Sequence, residues 1–568
     1  MGRPIAVGGR LKNAGQTLWV PLVLIGLLWV ARYWHSSAFG IYEDDLTVIP
    51  RAVSMSTPEL LDYVGNFIVH LYDDGRPLFN SLNVLLSAFS WKAAGMTGPY
   101  LLGFLIESVN AVLFYTLIRR LYGQKVAAFA GVAYVLYSAD TTQAWLHRSL
   151  GAEPSLTLLF LALHAYLSDR LVLAYGLAAV ILFSYESPYT VFLCAPLLAG
   201  PRGRGKRREW IRHLAITLSV LAGAYFLRRT IGTERVTGQA IGEMLQTSVI
   251  HALEGPVVSL GTYALRPLQA AASLNGEVLL AAVLSLPIFL LLLGKRWGTP
   301  AVPDDPSRQA AMDLRASFQE YGRPLLAGLA MLTLAYLLTF TVRAYAISGR
   351  DTRVHFAAGP GAALAIASLA CILLTWLRPG KMRWAGAAVL AAMLALLLGF
   401  GFVIQQDYVT AWTYQKEFWT QVVALVPDAS DGTAILVDPA ALKDTRHIAA
   451  NYWNLPRVLE QIFTYPADWS TPPRVYRLAE GWEDQILGPD GALVLDEGSA
   501  FIPPANYTQV SPDRTILLEG DGQGLVRRET MILQGKTYAL QPWAAGPGEA
   551  YPHGFLYDYL ILAPEAAP

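Results

Sequence analysis

The stretch Ile41-Tyr42-Glu43-Asp44-Asp45-Leu46 sets three carboxylates in a row shortly after the first long apolar segment. Like charges within roughly 4–6 Å raise one another's pKa, and nearby lipid removes the water that would screen them. Such a cluster either sits in solvent or is kept because it takes up a proton or holds a cation. Further acids and bases recur between apolar runs: Asp73, Asp74 and Arg76; Asp140, His147, Arg148 and Glu153; Glu186; then Arg350, Asp351, Arg353 and His355. A carboxylate can activate a hydroxyl as general base, and arginine grips phosphate with two parallel hydrogen bonds. Arg350 and Arg353 stand three apart, so a helical turn puts both on one face with Asp351 turned aside. The plain alternative is a pair of interfacial arginines meeting lipid headgroups. His147 and Arg148 also suit capping or snorkelling at a helix entrance. Glu153, ahead of Pro154, fits a first-turn acid favoured by the helix dipole. Glu186 lies between two apolar helices, where an ionisable group is expensive.

The elements that position these residues are membrane helices. Of 568 residues 54% are hydrophobic and 15% charged, against about 25% charged in soluble domains. The net charge is zero, which gives no footing for nucleic acid. Cys194 and Cys371 sit inside apolar runs, with no metal-ligand spacing and no disulfide framework. Arg3, Arg10 and Lys12 precede an apolar run without a small-residue cleavage site, which predicts a retained first span. A span needs roughly 20 apolar residues. On that rule about eleven helices are expected, near 17–34, 99–118, 124–139, 153–168, 171–185, 187–199, 212–230, 277–294, 324–344, 355–377 and 384–404. Basic residues collect in alternate loops: Arg119, Arg120 and Lys125; Arg202, Arg204, Lys206, Arg207 and Arg208; Lys295 and Arg296; Arg378, Lys381 and Arg383. By the positive-inside rule that face, and the N-terminus with it, is cytoplasmic. The opposite face then carries the 35–98 loop, the turn at Glu186, a 231–276 loop and the 345–354 loop. Within 35–98, Pro77 to Trp91 predicts a helix lying at the interface.

From about Gln405 the apolar runs shorten to strand length, as in Ala434-Ile435-Leu436-Val437 and Ala492-Leu493-Val494-Leu495. Turn signals such as Asp431-Gly432 and Pro489-Asp490-Gly491 separate them. Residues 405–568 therefore predict a β-rich extracytoplasmic domain after a transmembrane catalytic domain, 1–404. Trp453, Trp469, Trp482 and Trp543 suit sugar stacking or, more simply, core packing.

The order of these features resembles the GT-C class of membrane glycosyltransferases, closest to the protein O-mannosyltransferase and aminoarabinose transferase group. The family's acidic pair after the first span is matched by Glu43-Asp44-Asp45. Its proline-leucine entry to the interfacial helix is matched by Arg76-Pro77-Leu78. Its second acidic position is matched by Glu153 within Leu146-His147-Arg148-Ser149-Leu150-Gly151-Ala152-Glu153. Where the family often has Lys at the turn after the fifth span, Ser184-Tyr185-Glu186-Ser187-Pro188 has Tyr185, a departure that shifts phosphate contact toward Arg350, Arg353 and Arg76.

The resemblance implies transfer of a sugar from a polyprenyl-phosphate donor to a hydroxyl acceptor (glycan, lipid or protein) on the outer face of a prokaryotic plasma (inner) membrane, with inversion. It points to Asp44 as base, with Asp45 second and Glu43 beside them. Glu153 and Glu186 would orient the acceptor or support the base, while Arg350, Arg353 and Arg76 hold phosphate near His147, Arg148 and His355. In an extended strand Glu43 and Asp45 share a face that Asp44 opposes. Mg2+ or Mn2+ would suit the hard oxygen ligands of the triplet, although the sequence requires no metal. Two other classes stay open: a transporter or flippase of lipid-linked sugars, and a membrane-anchored carbohydrate-binding protein. The transporter should show half-repeats, and the sequence has none.

Overall fold

The computed structural model describes residues 19–70, 75–199, 206–231, 240–294, 306–340, 343–377, 381–450, 455–478, 493–496, 507–522, 524–533, 535–544 and 551–562. Asp73, Asp74, Arg202, Arg204, Lys295, Arg296, Arg378, Trp453 and Trp482 lie outside the described residues.

Helix α1 covers 19–28 and widens into a π-helical turn at Trp29–Tyr33. The expected long first loop holds α2 (Asp45–Ser54), α3 (Thr57–His70) and α4 (Pro77–Ala94). Pro77 begins α4 as expected, its fixed φ suiting the first helical position. In α5 (Thr97–Val135), Gly123 at φ 85° breaks the helix, near the expected boundary between two spans. A π-helical turn, His147–Ala152, leads into α6 (Glu153–Leu167). There follow α7 (Leu171–Ser184), α8 (Ser187–Val191), α9 (Ala195–Ala199) and α10 (Lys206–Ile231).

The 231–276 region departs from expectation. In place of a loop it holds α11 (Ile241–Ala272). Its polar side is buried through Ser248, His251, Ser259, Thr262 and Arg266, while Leu245, Val249, Leu253, Val257 and Leu268 are exposed. Apolar-out, polar-in is the pattern of a helix facing hydrocarbon. The inward polar residues, with Pro256 and Pro267, lower the run's hydropathy and so disguise it.

The remaining helices are α12 (Gly276–Gly294), α13 (Pro306–Leu334), α14 (Gly359–Trp376) and α15 (Lys381–Leu425), with a 3-10 helix at Arg350–Ala358 before α14. Helices α13 and α14 touch backbone to backbone. A Cβ on Gly328 would come within 2.6 Å of Ala365 N, and one on Gly361 within 2.3 Å of Leu332 N. Small residues permit that approach where lipid supplies no hydrophobic drive between helices.

Six stretches among the described residues are long and apolar enough to cross a membrane. They are Thr97–Val135, His147–Leu167, Arg207–Ile231, Gly276–Leu293, Arg350–Trp376 and Lys381–Leu425, joined by shorter apolar helices at Leu171–Ser184 and Ser187–Ala199. The chain is thus a multi-pass membrane protein. The expected count of eleven is not confirmed by these six: Gly123 divides α5 near the expected boundary between two spans, and 187–199 is cut by a 3-10 turn.

The chain divides into two compact units, Met1–Ser37 with Leu61–Gln406, and Ala38–Leu60 with Asp407–Pro568. The second unit also claims the segment that bears the acidic triplet. Its main sheet has the order β2-β1-β5-β6. Here β1 (Ala434–Val437) runs parallel to β2 (Arg474–Arg477) and β5 (Thr515–Gly520), and β6 (Leu525–Arg528) is antiparallel to β5. All four residues of β1 are buried, as befits a central parallel strand read as an unbroken apolar run. Two antiparallel pairs complete the strands: Leu493–Asp496 with Tyr507–Val510, and Thr530–Leu533 with Lys536–Ala539. The C-terminal residues thus form a small sheet region with mixed strand directions and short helices, among the described residues.

Candidate active site

The acidic triplet is buried, not solvated. Glu43 and Asp45 are fully inaccessible and Asp44 is 7% exposed. It forms the entry to α2 and not an extended strand. Asp45 N–H donates to Tyr42 O, Leu46 N–H to Glu43 O and Thr47 N–H to Asp44 O, at 3.0, 3.1 and 3.2 Å. The expected alternation of faces gives way to a turn in which Asp44 and Asp45 take helical backbone and Glu43 does not. Acids at a helix start meet the positive end of its dipole, which accounts for Asp44 and Asp45. Glu43 is different. It holds φ at 48°, left-handed backbone that a side-chain-bearing residue seldom adopts.

Tyr42 fixes this turn. Its hydroxyl donates to Tyr408 O (2.7 Å) and accepts from Gly40 N–H (2.9 Å). Gly40 lies against the Trp412 ring, with no room for a Cβ. Burial pushes the Tyr42 phenol well above its ordinary pKa, and the charge of Asp45 adds to this, so it stays a donor. Among the described residues no three His, Cys, Asp or Glu side chains converge on a cation position. Glu43, Asp44 and Asp45 thus do not form a metal cage.

In the other unit, Arg148 is the centre of a buried charge network. Its Nε donates to Asp140 Oδ2 (2.8 Å), and its Nη1 to Glu153 Oε1 (2.5 Å) and Glu107 Oε1 (3.3 Å). Arg32 closes the other side of Glu107 at 2.7 Å and also donates to the carbonyls of Tyr134 and Val135. Asn110 donates to Glu153 Oε2 at 2.6 Å. Three carboxylates thus share two guanidiniums, with every one of these charged side chains at most 8% exposed. Of this set the sequence singled out Asp140, Arg148 and Glu153. It missed Arg32, Glu107 and Asn110, although Arg32 and Glu107 stand inside expected spans, where a charge is itself a signal.

Other expected residues gather around a chain of rings. Trp145 packs on His147 at 5.3 Å, His147 on Phe79 at 4.7 Å, Phe79 on Tyr185 at 5.9 Å and Tyr185 on Phe356 at 5.4 Å. Four guanidiniums lie over these rings: Arg350 and Arg353 over Trp145 (5.3 and 6.0 Å), Arg76 over Tyr185 (4.2 Å) and Arg148 over Phe356 (4.9 Å). The 3-10 helix brings positions three apart into register, so Arg350 and Arg353 share a face as expected, with Asp351 exposed. Tyr185, standing where the resembled family often has Lys, provides the ring beneath Arg76.

Glu186 takes Arg76 in a bidentate pair, 2.8 Å from Nε and 2.5 Å from Nη2. Arg228, also missed, approaches the same carboxylate at 4.0 Å and donates to Leu182 O. Asn83 Nδ2 donates to His147 Nδ1 at 2.6 Å, which places the proton of the neutral ring on Nε2. His355 is wholly buried. Tyr336 OH donates to its Nδ1 and its Nε2–H to Ala346 O, both at 2.7 Å, so it pins the arginine-bearing segment.

No protein-family model matches the sequence, and no curated protein matches it. Two solved structures do, both of ArnT from Cupriavidus metallidurans. The apo structure matches with a TM-score of 0.33 at 13% identity, covering 82% of this chain and 86% of that one. The structure bound to undecaprenyl phosphate matches with a TM-score of 0.34 at 14% identity and the same coverage. At such scores the likeness carries no weight for the chemistry of this chain, which rests on the residues described above.

Proposed function

We propose that this protein is a membrane glycosyltransferase that moves a sugar from a polyprenyl-phosphate carrier to a hydroxyl acceptor, with inversion. The observation that carries the reading is Arg350 and Arg353 set side by side over the Trp145 ring, on the aromatic chain that also carries Arg76 and Arg148. Arg76 and Arg148 are balanced by the carboxylates described above, whereas the adjacent pair Arg350 and Arg353 suits the two negative charges of a phosphate. The motif order read from the sequence supplies the substrate class, and undecaprenyl phosphate, bound in one ArnT structure, is a carrier of that class.

Arg350 and Arg353, helped by Arg76, hold the donor phosphate and stabilise the charge that grows on it as the bond to the sugar breaks. Glu186 and Glu153 act through the arginines they fix, Arg76 and Arg148, and His147 lines the same aromatic wall. The acceptor oxygen attacks the anomeric carbon from the side opposite the phosphate. Asp44 takes its proton, with Asp45 the alternative base and Glu43 shaping their turn. The bond between anomeric carbon and phosphate oxygen breaks, and its electron pair leaves on the polyprenyl phosphate. The basic residues of the alternate loops support a cytoplasmic N-terminus, with the chemistry on the outer face of the plasma membrane.

The test is label moved from radiolabelled polyprenyl-phosphate hexoses to acceptors in membrane extract, for purified wild type, Asp44→Asn and Asp45→Asn. Turnover that collapses in one variant while donor binding persists supports the reading and picks the base. Donor binding with both variants as active as wild type removes the triplet from the mechanism. Absence of donor binding by wild type rejects the proposal.

A further inference from the structure

Helices α5, α13, α14 and α15 enclose a cleft of about 510 Å³ that the proposed chemistry does not use. Phe129, Val132, Phe318, Leu373, Trp376 and Met393 are among its walls, and every lining residue is apolar or aromatic. Its sole hydroxyl-bearing residue, Tyr263, donates that hydroxyl to Ala133 O. Trp376 and Phe318 are more than half exposed, so the cleft opens outward from the bundle. In a bilayer such a space neither stays void, which forfeits dispersion contacts along its walls, nor takes water, which finds no polar partners there. A space of this size with wholly apolar walls has room for a hydrocarbon chain.

One end of the cleft carries charge. Lys125 precedes Phe129 by one turn of α5, and Tyr321 follows Phe318 by one turn of α13. Lys125 Nζ donates to Tyr321 OH at 3.3 Å and lies 5.1 Å from the centre of its ring. Arg323 sits over the Tyr122 ring nearby, and Arg119 and Arg120 share this end of α5. Glu320 bonds to the same phenol. Basic residues beside an apolar slot between membrane helices, with a tryptophan at the rim, suit an anionic headgroup whose tail enters the slot. We infer that this cleft binds one anionic phospholipid, its acyl chain between α5, α13, α14 and α15 and its headgroup at Lys125.

The test uses the full chain, stripped of lipid by extended detergent washing and then offered phosphatidylglycerol, phosphatidylcholine or polyprenyl phosphate. Native mass spectrometry reads the bound lipid and thermal unfolding its effect. Wild type should retain on the order of one phosphatidylglycerol per chain and melt higher with it, since a ligand of the folded state stabilises by mass action. Ala370→Phe, which fills the cleft, should lose that retention about tenfold, and Lys125→Gln should bind the two phospholipids alike. Where Ala370→Phe does not fold, Leu373→Trp on the same wall gives the reading. Equal binding of both phospholipids by wild type, or undiminished binding by the filled variants, overturns the inference. So does displacement of phosphatidylglycerol by polyprenyl phosphate, which would make the cleft a seat for the carrier's tail.

Discussion

The two acidic regions of this molecule are built in opposite ways. The Arg148 network draws its charges from residues far apart in the chain, such as Arg32 and Glu107, and joins every carboxylate to a named cation or amide. The triplet draws its charges from three successive residues and wraps them around the first turn of a helix, one of them on left-handed backbone. The first arrangement is what a bundle needs to hold charge at depth. The second adds buried carboxylates and backbone strain in one place, a combination that bundle stability does not explain and that proton transfer can use.

If that contrast is right, the two regions fail differently. The largest effect should be on turnover in Asp44→Asn, a fall of about 10²–10⁴-fold with the melting temperature little changed, as for loss of a general base. Arg148→Leu should do the reverse. It takes the shared guanidinium from three buried acids and leaves Asp140 without its cation, while Glu107 keeps Arg32 and Glu153 keeps Asn110, so a stability loss of about 3–5 kcal/mol is expected, seen as poor yield and early melting. Comparable melting losses in the two variants would erase the distinction.

Within the second unit, Asp428 and Arg527 give a milder version of the networked design, a bidentate pair at 2.5 and 2.9 Å. Burial alone would raise the Asp428 carboxyl, but the bonds from Arg527 prevail and hold it below its ordinary value. Its contribution is complete above the unfolded carboxylate pKa of about 3.9 and disappears as pH falls through the lower folded value. Asp428→Asn should therefore melt earlier than wild type at neutral pH, by about 1.5–3 kcal/mol, with the gap closing in acid. A gap unchanged with pH would show that the pair does not supply it. Arg350→Ala and Arg353→Ala should each weaken donor binding by roughly tenfold, the value of one phosphate contact of about 1.4 kcal/mol, and spare the fold. The smallest effect belongs to Glu43→Gly. Relief of the positive φ should hold or raise stability by up to about 1 kcal/mol while turnover drops. A clear loss of stability would recast Glu43 as a structural residue.

Much of this was legible in the residues because lipid constrains what a chain can do. Pro77 marked the start of α4, Gly123 fell at a helix break, and the apolar run 434–437 became a central strand. The spacing of Arg350 and Arg353 gave their common face. What escaped were partners: the Arg76–Glu186 pair joins residues 110 apart and the Arg32–Glu107 pair residues 75 apart. Nothing local in a sequence encodes such a choice. Helix α11 escaped for another reason. Its buried side is polar and its outer side apolar, so an averaged hydropathy cancels the two. The burial of the triplet was hidden as well, since three adjacent acids look the same in a solvated loop.

The glycine contact between α13 and α14 reaches further than packing. Those helices flank the 335–358 segment that carries Arg350 and Arg353, and their backbones meet at Gly328 and Gly361 with no side chain between. They form a rivet, and the segment between them is a bridge whose piers cannot drift. A methyl group added at Gly361, in the first turn of α14 and itself without charge, would spread those piers and masquerade as a lesion in the arginines. Genetic screens for lost donor affinity should therefore return small-to-large changes at this crossing, and compensating large-to-small changes opposite it should restore what was lost.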